Sequence, residues 1–303
     1  MLNRDLKVKL WLIWLTACAA FALLIRHGMR FDFRSAGHAA GTVMMLAPFA
    51  VVFHHRNIRP FSNMLIGFLC MVVFNVFLTV LTYAGTPLNA PLADVWLMQA
   101  DESIGIHLPT IVAWCESHPW LHSTLVRVYY TVLPSTILAI IVLGFDNDVR
   151  HLREFVMHYI LGGLITTVIY FFVPAEAPFG AYGYPARPDQ LRFLEHLHAL
   201  RAGEFRIVSL NNLEGLITFP SFHTTWAALV AYAFRHNRWL FVPMLLLNGG
   251  VIASTVMTGW HYGVDVIGGL LVALLAVFLT RLPGDWLHDD MHRTLAPVGE
   301  RPI

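Results

Sequence analysis

Residues 61–84 read FSNMLIGFLCMVVFNVFLTVLTYA, an apolar run that contains no Asp, Glu, Lys or Arg. A helix of about 20 apolar residues is long enough to cross the hydrocarbon core of a bilayer. A helix of a soluble protein would carry charged residues on the face that meets water. The stretch therefore predicts a membrane-spanning helix, and similar runs recur along the chain.

The composition is also that of a membrane protein. Of the 303 residues, 57% are hydrophobic and 13% are charged, and the mean hydropathy is +0.60. In a soluble domain, about a quarter of the residues are charged. The net charge is only +1 and no basic block is present, so nucleic acid is not an expected partner. Cys18, Cys70 and Cys115 are too widely spaced for a CxxC metal or redox motif, and no disulfide scaffold is expected.

Apolar windows of bilayer length predict an all-α, polytopic transmembrane helix bundle of about eight spans. The predicted spans are residues 8–25, 36–53, 61–84, 121–144, 155–173, 219–235, 239–258 and 261–281. Prolines break residues 86–120 into short apolar pieces, which predicts interfacial helices on the membrane surface. The first apolar run continues through Ile25, which favours an uncleaved span over a signal peptide. Residues 1–303 are expected to form a single integral membrane domain.

Lysines and arginines predict the orientation of the bundle, since positively charged residues near span ends stay in the cytoplasm. Most of the twenty lie inside when both termini are cytoplasmic, although Arg26, Arg30 and Arg34 oppose this orientation. The outer ends of the sixth and eighth spans then face away from the cytoplasm. The expected location is a bacterial inner membrane, with the site described below facing the periplasm or a lumen.

Two motifs within residues 174–281 contain the residues suited to chemistry. In HYGVD, residues 261–265, the histidine and the aspartate are four positions apart and share one face of a helix. The carboxylate can then orient the imidazole of His261. In FPSFH, residues 219–223, the proline precedes a helix start, and the free N–H groups of a helix start bind anions. His223 and His261 are therefore the candidate reactive groups.

These motifs resemble the signatures of the type-2 phosphatidic acid phosphatase superfamily. PSFH at residues 220–223 matches Pro-Ser-x-His, and Ser254, His261 and Asp265 match the spacing of Ser-Arg-x5-His-x3-Asp. The clear resemblance covers about residues 165–281. The upstream half is similar in outline to the inositol phosphorylceramide synthase-like branch, whose members are phosphotransferases.

The resemblance implies a role for each residue of the two motifs. His261 would be the nucleophile that takes the phosphoryl group, Asp265 would orient it, and His223 would protonate the leaving oxygen. Ser221 and nearby backbone N–H groups would bind the phosphate oxygens. Neither a metal nor an organic cofactor is expected.

The sequence departs from the family pattern at the cations that bind phosphate. The first signature, Lys-x6-Arg-Pro, is absent, because Gly180 stands where the lysine would precede Arg187, and Thr255 replaces the arginine of the third signature. Phosphoryl transfer depends on cations that neutralise the phosphate oxygens. Other arginines are therefore expected to bind the phosphate. The candidates are Arg127, Arg187 and Arg206, followed by Arg192 and Arg201.

The expected function is a membrane phosphotransferase, which moves a phosphoryl-headgroup unit from a phospholipid donor to a lipid or alcohol acceptor. Hydrolysis of a lipid phosphate or polyprenyl diphosphate at the same site, with water as the acceptor, is the alternative. A lipid carrier with a degenerate enzyme site and a membrane metallohydrolase are further alternatives. The expected partners are a lipid-phosphate substrate and the membrane itself.

Several other polar residues have simpler interpretations. Tyr129 either hydrogen-bonds a lipid headgroup or belongs to an aromatic belt at the membrane surface. Arg127 either binds phosphate or extends its side chain to the lipid headgroups. The acidic residues between the third and fourth spans are expected to be solvated, namely Asp94, Asp101, Glu102 and Glu116.

Overall fold

The computed structural model describes residues 4–145 and 149–281, and these residues are mostly helical. The two termini, expected in the cytoplasm, lie outside the described residues. Three long apolar helices come first: α1 (Arg4–Arg26), α2 (Gly37–His55) and α3 (Arg59–Gly85). α3 contacts both α1 and α2. Its first turn contains Pro60, at a position where the missing N–H would have no partner within the helix.

Short helices follow where the prolines predicted them: α4 (Asp94–Ser103), α5 (Leu108–Glu116) and α6 (Pro119–Tyr129). α5 and α6 each have a proline in the first turn, which sets where the helix begins. α4 has 10 residues and reaches about 15 Å at 1.5 Å per residue, far less than the thickness of a bilayer.

The fourth predicted span, residues 121–144, is divided between α6 and α7 (Val132–Phe145), which are bent by 43° relative to each other. The break falls at Tyr130. Pro134 lies four residues later, and a proline ring clashes with the carbonyl group four positions before it. The bend therefore has a local cause in the sequence.

The remaining elements include the helices that contain the two motifs. They are α8 (Val149–Phe172), α9 (Pro178–Ala181), α10 (Pro188–Arg201), α11 (Phe222–Ala233), α12 (Phe241–Met257) and α13 (Gly263–Leu279). Two short strands, β1 (Arg30–Phe31) and β2 (Ile207–Val208), pair in parallel and join the segment after α1 to the segment after α10.

The expectation of an all-α membrane bundle is confirmed, but the last three predicted spans are short. Within the described residues, four helices are long and apolar enough to cross a membrane, or five when α6 and α7 count as one span. α12 and α13 have 17 residues each, and α11 has 12. Seventeen residues reach about 26 Å, slightly less than the roughly 30 Å hydrocarbon core. The spans predicted at 219–235 and 261–281 begin later, because the motif residues form loops and caps before α11 and α13.

The core of the bundle lies where α3, α7, α8, α11 and α13 pack together. Phe74 of α3 and Tyr159 of α8 are fully buried in it. A second apolar layer packs α10 and the segment before α11 against the C-terminal end of α3, through residues such as Tyr83, Phe193 and Leu216. This layer places residues 214–218 beside α3, next to the two motifs.

Candidate active site

The start of α11 is built around Ser221, the residue before the helix. Its hydroxyl accepts the backbone N–H of Thr224 at 3.2 Å, which caps the helix and leaves His223 in the first turn. Its backbone N–H donates to the carbonyl oxygen of Asp265 at 3.0 Å. The two helices approach closely, since a Cβ at Gly269 would lie 2.5 Å from the Ser221 carbonyl oxygen. The two motifs, far apart in sequence, therefore form one site.

His261 is held through one nitrogen of its ring. Nδ1 lies 2.9 Å from the carbonyl oxygen of Thr218 and 3.2 Å from Oδ2 of Asp265. A carbonyl oxygen can only accept a hydrogen bond, so Nδ1 carries the proton. Oδ2 of Asp265 also accepts the backbone N–H of Tyr262 at 2.8 Å, which fixes the carboxylate. The arrangement leaves Nε2 of His261 with a free lone pair, as a nucleophile requires.

His223 lies beside His261, with the ring centroids 6.5 Å apart. Its Nδ1 is 3.1 Å from the hydroxyl of Tyr129, and the Tyr129 ring stacks on the imidazole at 4.3 Å. When the imidazole is neutral, the Tyr129 hydroxyl donates to Nδ1 and the ring proton lies on Nε2. When the ring is protonated, the hydroxyl oxygen accepts from Nδ1–H, so Nε2 carries a proton in both forms. The two histidines are then complementary, because His261 presents a lone pair and His223 presents an N–H group. Of the two interpretations of Tyr129, the geometry favours a polar contact, although the partner is His223.

Two acidic residues of α4 are not solvated as expected, because they hold the start of α13. Asp101 is fully buried, and its carboxylate accepts the backbone N–H groups of Gly263 at 2.9 Å and Val264 at 2.8 Å. Asp94 is also buried and accepts the hydroxyl of Tyr262 at 2.8 Å. The prediction was wrong for these two. Free N–H groups at the start of α13 attract the carboxylate of Asp101, and the Tyr262 hydroxyl and the Glu176 N–H bind that of Asp94. Glu102 and Glu116 are exposed, as expected.

Burial and hydrogen bonding act in opposite directions on the pKa of each of these two carboxylates. Burial raises the pKa of Asp101, while the N–H groups of Gly263 and Val264 favour its charged form. Burial likewise raises the pKa of Asp94, against the hydrogen bonds from the Glu176 N–H and the Tyr262 hydroxyl. Four donated hydrogen bonds therefore compensate for removing these two carboxylates from water.

A cavity of about 110 Å³ opens beside the two histidines. Its walls are formed by α3, by residues 214–218, and by the aromatic rings of Tyr129 and Trp260. His223 and His261 both line it, so a phosphorus atom bound there can reach both rings. In the part of the chain that the structure describes, no Lys or Arg side chain lines this cavity. The two histidines therefore share one cavity, and the arginines predicted to bind phosphate lie outside its wall.

Arg187, one of the predicted phosphate-binding arginines, is linked to the cavity through Trp260. Its guanidinium lies 5.6 Å from the ring centroid of Trp260, which lines the cavity next to His261. The same group donates to the carbonyl oxygen of Thr258 at 3.4 Å and pairs with Asp189 at 3.3 Å. These contacts hold a half-buried cation at the edge of the site.

Like Arg187, the predicted phosphate-binding residues Arg127, Arg206 and Ser221 do not line the cavity. The exposed guanidinium of Arg127 donates to the carbonyl oxygen of Ser123 on its own helix. Arg206 is exposed beside the strand pair, with its guanidinium near Gly28. Ser221 is fully buried, and its hydroxyl is engaged in capping α11. Their phosphate-binding roles stay predictions.

Arg192 is a further cation near the cavity. Its Nε donates to Oε1 of Glu214 at 2.6 Å, and Glu214 lines the cavity.

Thr255, which replaces the signature arginine, is fully buried and donates to the carbonyl oxygen of Ile252. Its own carbonyl oxygen accepts the backbone N–H of His261 at 3.0 Å. This position therefore supports the backbone of His261 and supplies no charge.

Sequence reasoning missed the contribution of α3 to the site. Asn75, Thr79 and Thr82 line the cavity from within the helix that appeared uniformly apolar. The signal that could have found them is their spacing, since positions i, i+4 and i+7 lie on one face of a helix. Among residues 4–145 and 149–281, no group of three or more His, Cys, Asp or Glu side chains could hold a metal ion. The metallohydrolase alternative therefore gains no ligand set.

The sequence is similar to those of known proteins. The chain is 42% identical over 66 residues to undecaprenyl-diphosphatase BcrC of Bacillus subtilis (strain 168). That match covers 20% of this chain and 33% of the relative, so the chain spans about a third of the length of the curated relative it matches. No solved structure matches. The resemblance to the inositol phosphorylceramide synthase-like branch stays a prediction. A family model described as PAP2 superfamily matches residues 95–279, which is more than half of the chain and includes both histidine motifs, and the chain therefore belongs to the PAP2 superfamily.

Proposed function

We propose that this protein hydrolyses a phosphoester or diphosphate group of a membrane lipid through a phosphohistidine intermediate on His261. One observation carries the proposal. The Nδ1 proton of His261 is committed to Thr218 and Asp265, which leaves Nε2 free at a cavity that His223 also lines. A covalent intermediate divides a difficult displacement into two easier steps and needs this combination of nucleophile, orienting acid and proton donor.

The reaction proceeds in two displacements at phosphorus. Nε2 of His261 attacks the phosphorus atom, and the bond from phosphorus to the leaving oxygen breaks. That oxygen takes a proton from Nε2 of His223, which enters this step as the imidazolium, with its Nδ1–H donated to the Tyr129 hydroxyl, and leaves it as the neutral imidazole. A water molecule then attacks the phosphorus atom and gives a proton back to His223. The phosphorus–nitrogen bond breaks, which releases the phosphate and restores both histidines. The negative charge of Asp265 stabilises the phosphorylated, cationic imidazole between the two steps.

The phosphate oxygens need donors and cations while they lie in the cavity. The free N–H groups at the start of α11, the helix capped by Ser221, are one source. Arg187 is the first choice of cation because it lies against Trp260. Arg127 and Arg206 would have to reach the lipid phosphate from the surface, where both side chains are exposed.

Hydrolysis of a polyprenyl diphosphate is the favoured form of this activity, because the similar protein from Bacillus subtilis is an undecaprenyl-diphosphatase. We place the site on the periplasmic side of a bacterial inner membrane, following the distribution of Lys and Arg along the sequence. The intact arrangement of His223, His261 and Asp265 favours an enzyme over a lipid carrier with a degenerate site.

Transfer of a phosphoryl-headgroup unit to an alcohol is the second candidate, and the composition of the cavity wall favours it. The wall has neutral polar groups and the carboxylate of Glu214 and, within the described residues, no Lys or Arg. A phosphodiester carries one negative charge and a monoester nearly two, so a wall without cations suits a diester donor better. The two candidates share the first displacement and differ in whether water or an alcohol attacks the intermediate.

The test is incubation of the purified protein with labelled phosphatidic acid, a polyprenyl diphosphate and phosphatidylglycerol, followed by product identification. We expect release of inorganic phosphate from at least one lipid and an acid-labile, base-stable phosphoenzyme. His261→Ala should abolish both. His38→Ala, at an exposed histidine of α2, should abolish neither. A folded His261→Ala protein that still turns over lipid would rule the mechanism out.

A further inference from the structure

A polar stripe on α3 faces the two histidines. Asn75, Thr79 and Thr82 occupy positions i, i+4 and i+7 of this helix, and all three line the cavity. α3 precedes residues 95–279, the part of the chain that matches the PAP2 superfamily. One wall of the cavity therefore comes from outside the matched region. Polar groups inside a membrane helix are costly to keep, which makes their placement at a cavity a functional signal.

The two threonines present hydrogen-bond acceptors to the cavity. The hydroxyl of Thr79 donates to the carbonyl oxygen of Asn75 at 2.8 Å, and that of Thr82 donates to the carbonyl oxygen of Leu78 at 2.9 Å. A hydroxyl has one proton and two lone pairs. Since each proton is already donated within α3, the lone pairs remain for a ligand. These groups can accept hydrogen bonds from a ligand but are poor partners for a phosphate anion.

Asn75 presents a donor beside these acceptors. The hydroxyl of Tyr159 donates to Oδ1 of Asn75 at 2.7 Å, and Tyr159 is fully buried between α3 and α11. This bond fixes the orientation of the amide, because its oxygen is held by α8. The amide N–H groups of Asn75, a half-buried residue, are then available at the cavity. The wall thus combines one donor group with two acceptor groups and carries no charge.

We propose that this wall binds the hydroxyl groups of an alcohol or polyol next to the phosphorylated His261. An alcohol hydroxyl donates one hydrogen bond and accepts up to two, which matches the mixed set formed by Asn75, Thr79 and Thr82. The inference rests on the proposed function, because it concerns the group that leaves the phosphorus atom or attacks it. Two sources share this chemistry: an acceptor alcohol that competes with water, and a polyol headgroup of the lipid substrate.

The first arm of the test measures the acceptor. The protein hydrolyses a labelled lipid phosphate in the presence of glycerol, and the ratio of glycerol phosphate to inorganic phosphate is measured. We expect this ratio to fall about three- to tenfold in Thr79→Val and Thr82→Val, the effect of losing one net hydrogen bond. Both products form on the same active molecules, so a lower yield of folded variant does not change their ratio.

The second arm measures the headgroup. If the hydroxyls belong to the lipid, the same variants lower kcat/KM for phosphatidylglycerol about three- to tenfold relative to phosphatidic acid, with the glycerol ratio unchanged. Thr42→Val is the matched control for both arms, since Thr42 makes the same bond to the carbonyl four residues earlier on the exposed face of α2. It should change neither quantity.

The outcomes separate the two proposals. One outcome is turnover in which the glycerol phosphate ratio and the relative kcat/KM are the same in wild type, Thr79→Val, Thr82→Val and Thr42→Val. This outcome would overturn the hydroxyl-binding wall and leave the proposed hydrolase intact. A wild-type protein that forms no phosphoenzyme and turns over none of these lipids would overturn the proposed function, and the hydroxyl-binding wall with it.

Discussion

The carboxylate of Asp101 accepts the backbone N–H of Gly263 at 2.9 Å, although 162 residues separate the two in the chain. Its other oxygen accepts the N–H of Val264 at 2.8 Å. Gly263 is the first residue of α13 and lies two residues after His261. A short helix outside the long spans therefore sets the start of the helix that positions the candidate nucleophile.

Asp101→Asn should lower both activity and stability. The asparagine has one acceptor oxygen for two N–H groups, and its own amide would face one of them, at a cost of about 1–3 kcal/mol for an unpaired buried donor. We expect the melting temperature in detergent to fall by several degrees, and kcat to fall about tenfold with little change in KM, because the nucleophile is displaced and not removed. Thermal unfolding and steady-state kinetics measure the two effects.

Glu102→Gln is the control for this variant, because Glu102 is the exposed neighbour of Asp101 on the same helix. It should behave as wild type in both assays. Equal behaviour of Asp101→Asn and Glu102→Gln would mean that the contact between α4 and α13 does not position the site.

Tyr129→Phe should slow turnover while it preserves the fold. The phenylalanine keeps the ring that stacks on His223 but loses the hydroxyl that bonds its Nδ1. Without an oxygen to accept its Nδ1–H, the imidazolium form of His223 is less stable, so fewer molecules can protonate the leaving oxygen. We expect kcat to fall about five- to tenfold, the effect of one net hydrogen bond. Tyr130→Phe, at an exposed tyrosine, should keep the wild-type kcat, and a similar kcat for both variants would remove Tyr129 from the site.

The two histidine motifs can be recognised in the sequence, because each lies within a few residues and follows helical spacing. It also predicts the helix start next to Pro220, since caps and prolines act locally, whereas the helix predicted from His261 begins only at Gly263. The contributions of Asp101 and Asn75 could not be read in this way. Each depends on packing between segments distant in sequence, and an isolated polar residue has the same local pattern whether it faces water, lipid or a cavity.

Gly269→Ala should destabilise the contact between α11 and α13. The added Cβ would lie 2.5 Å from the carbonyl oxygen of Ser221 and 2.8 Å from Cβ of Thr224, both of which belong to the start of α11. The helices must separate to relieve the clash, at a cost of about 1–3 kcal/mol. Thermal unfolding should show a lower melting temperature. Gly249→Ala is the matched control, since its added Cβ would meet nothing within 4 Å. A Gly269→Ala protein as stable as this control would contradict the close approach.

The orientation of the bundle can be measured by labelling single cysteines. Glu204 follows α10 near the end of the bundle that contains the histidines, and Arg238 lies between α11 and α12 at the opposite end of α11; both are exposed. In a chain whose native cysteines are replaced by alanine, Glu204→Cys should react with an impermeant thiol reagent added to intact cells. Arg238→Cys should react only after the membrane is permeabilised. The reverse pattern would place the site on the cytoplasmic side.

Arg187 and Arg127 are the two arginines that we compare as replacements for the missing signature cations. Arg187 lies 5.6 Å from the ring centroid of Trp260 at the edge of the cavity, whereas Arg127 bonds its own helix on an exposed face. Arg187→Gln should therefore lower kcat/KM by about one to three orders of magnitude, the range for losing one preorganised charge next to the transition state. Arg127→Gln should lower kcat/KM less than threefold, roughly the loss of a screened surface charge. The measurement is steady-state hydrolysis of one lipid phosphate by both variants at the same detergent concentration. A larger loss in Arg127→Gln would mean that the phosphate enters from the α6 side, and Arg192, which Glu214 holds beside the cavity, would then be the next cation to replace.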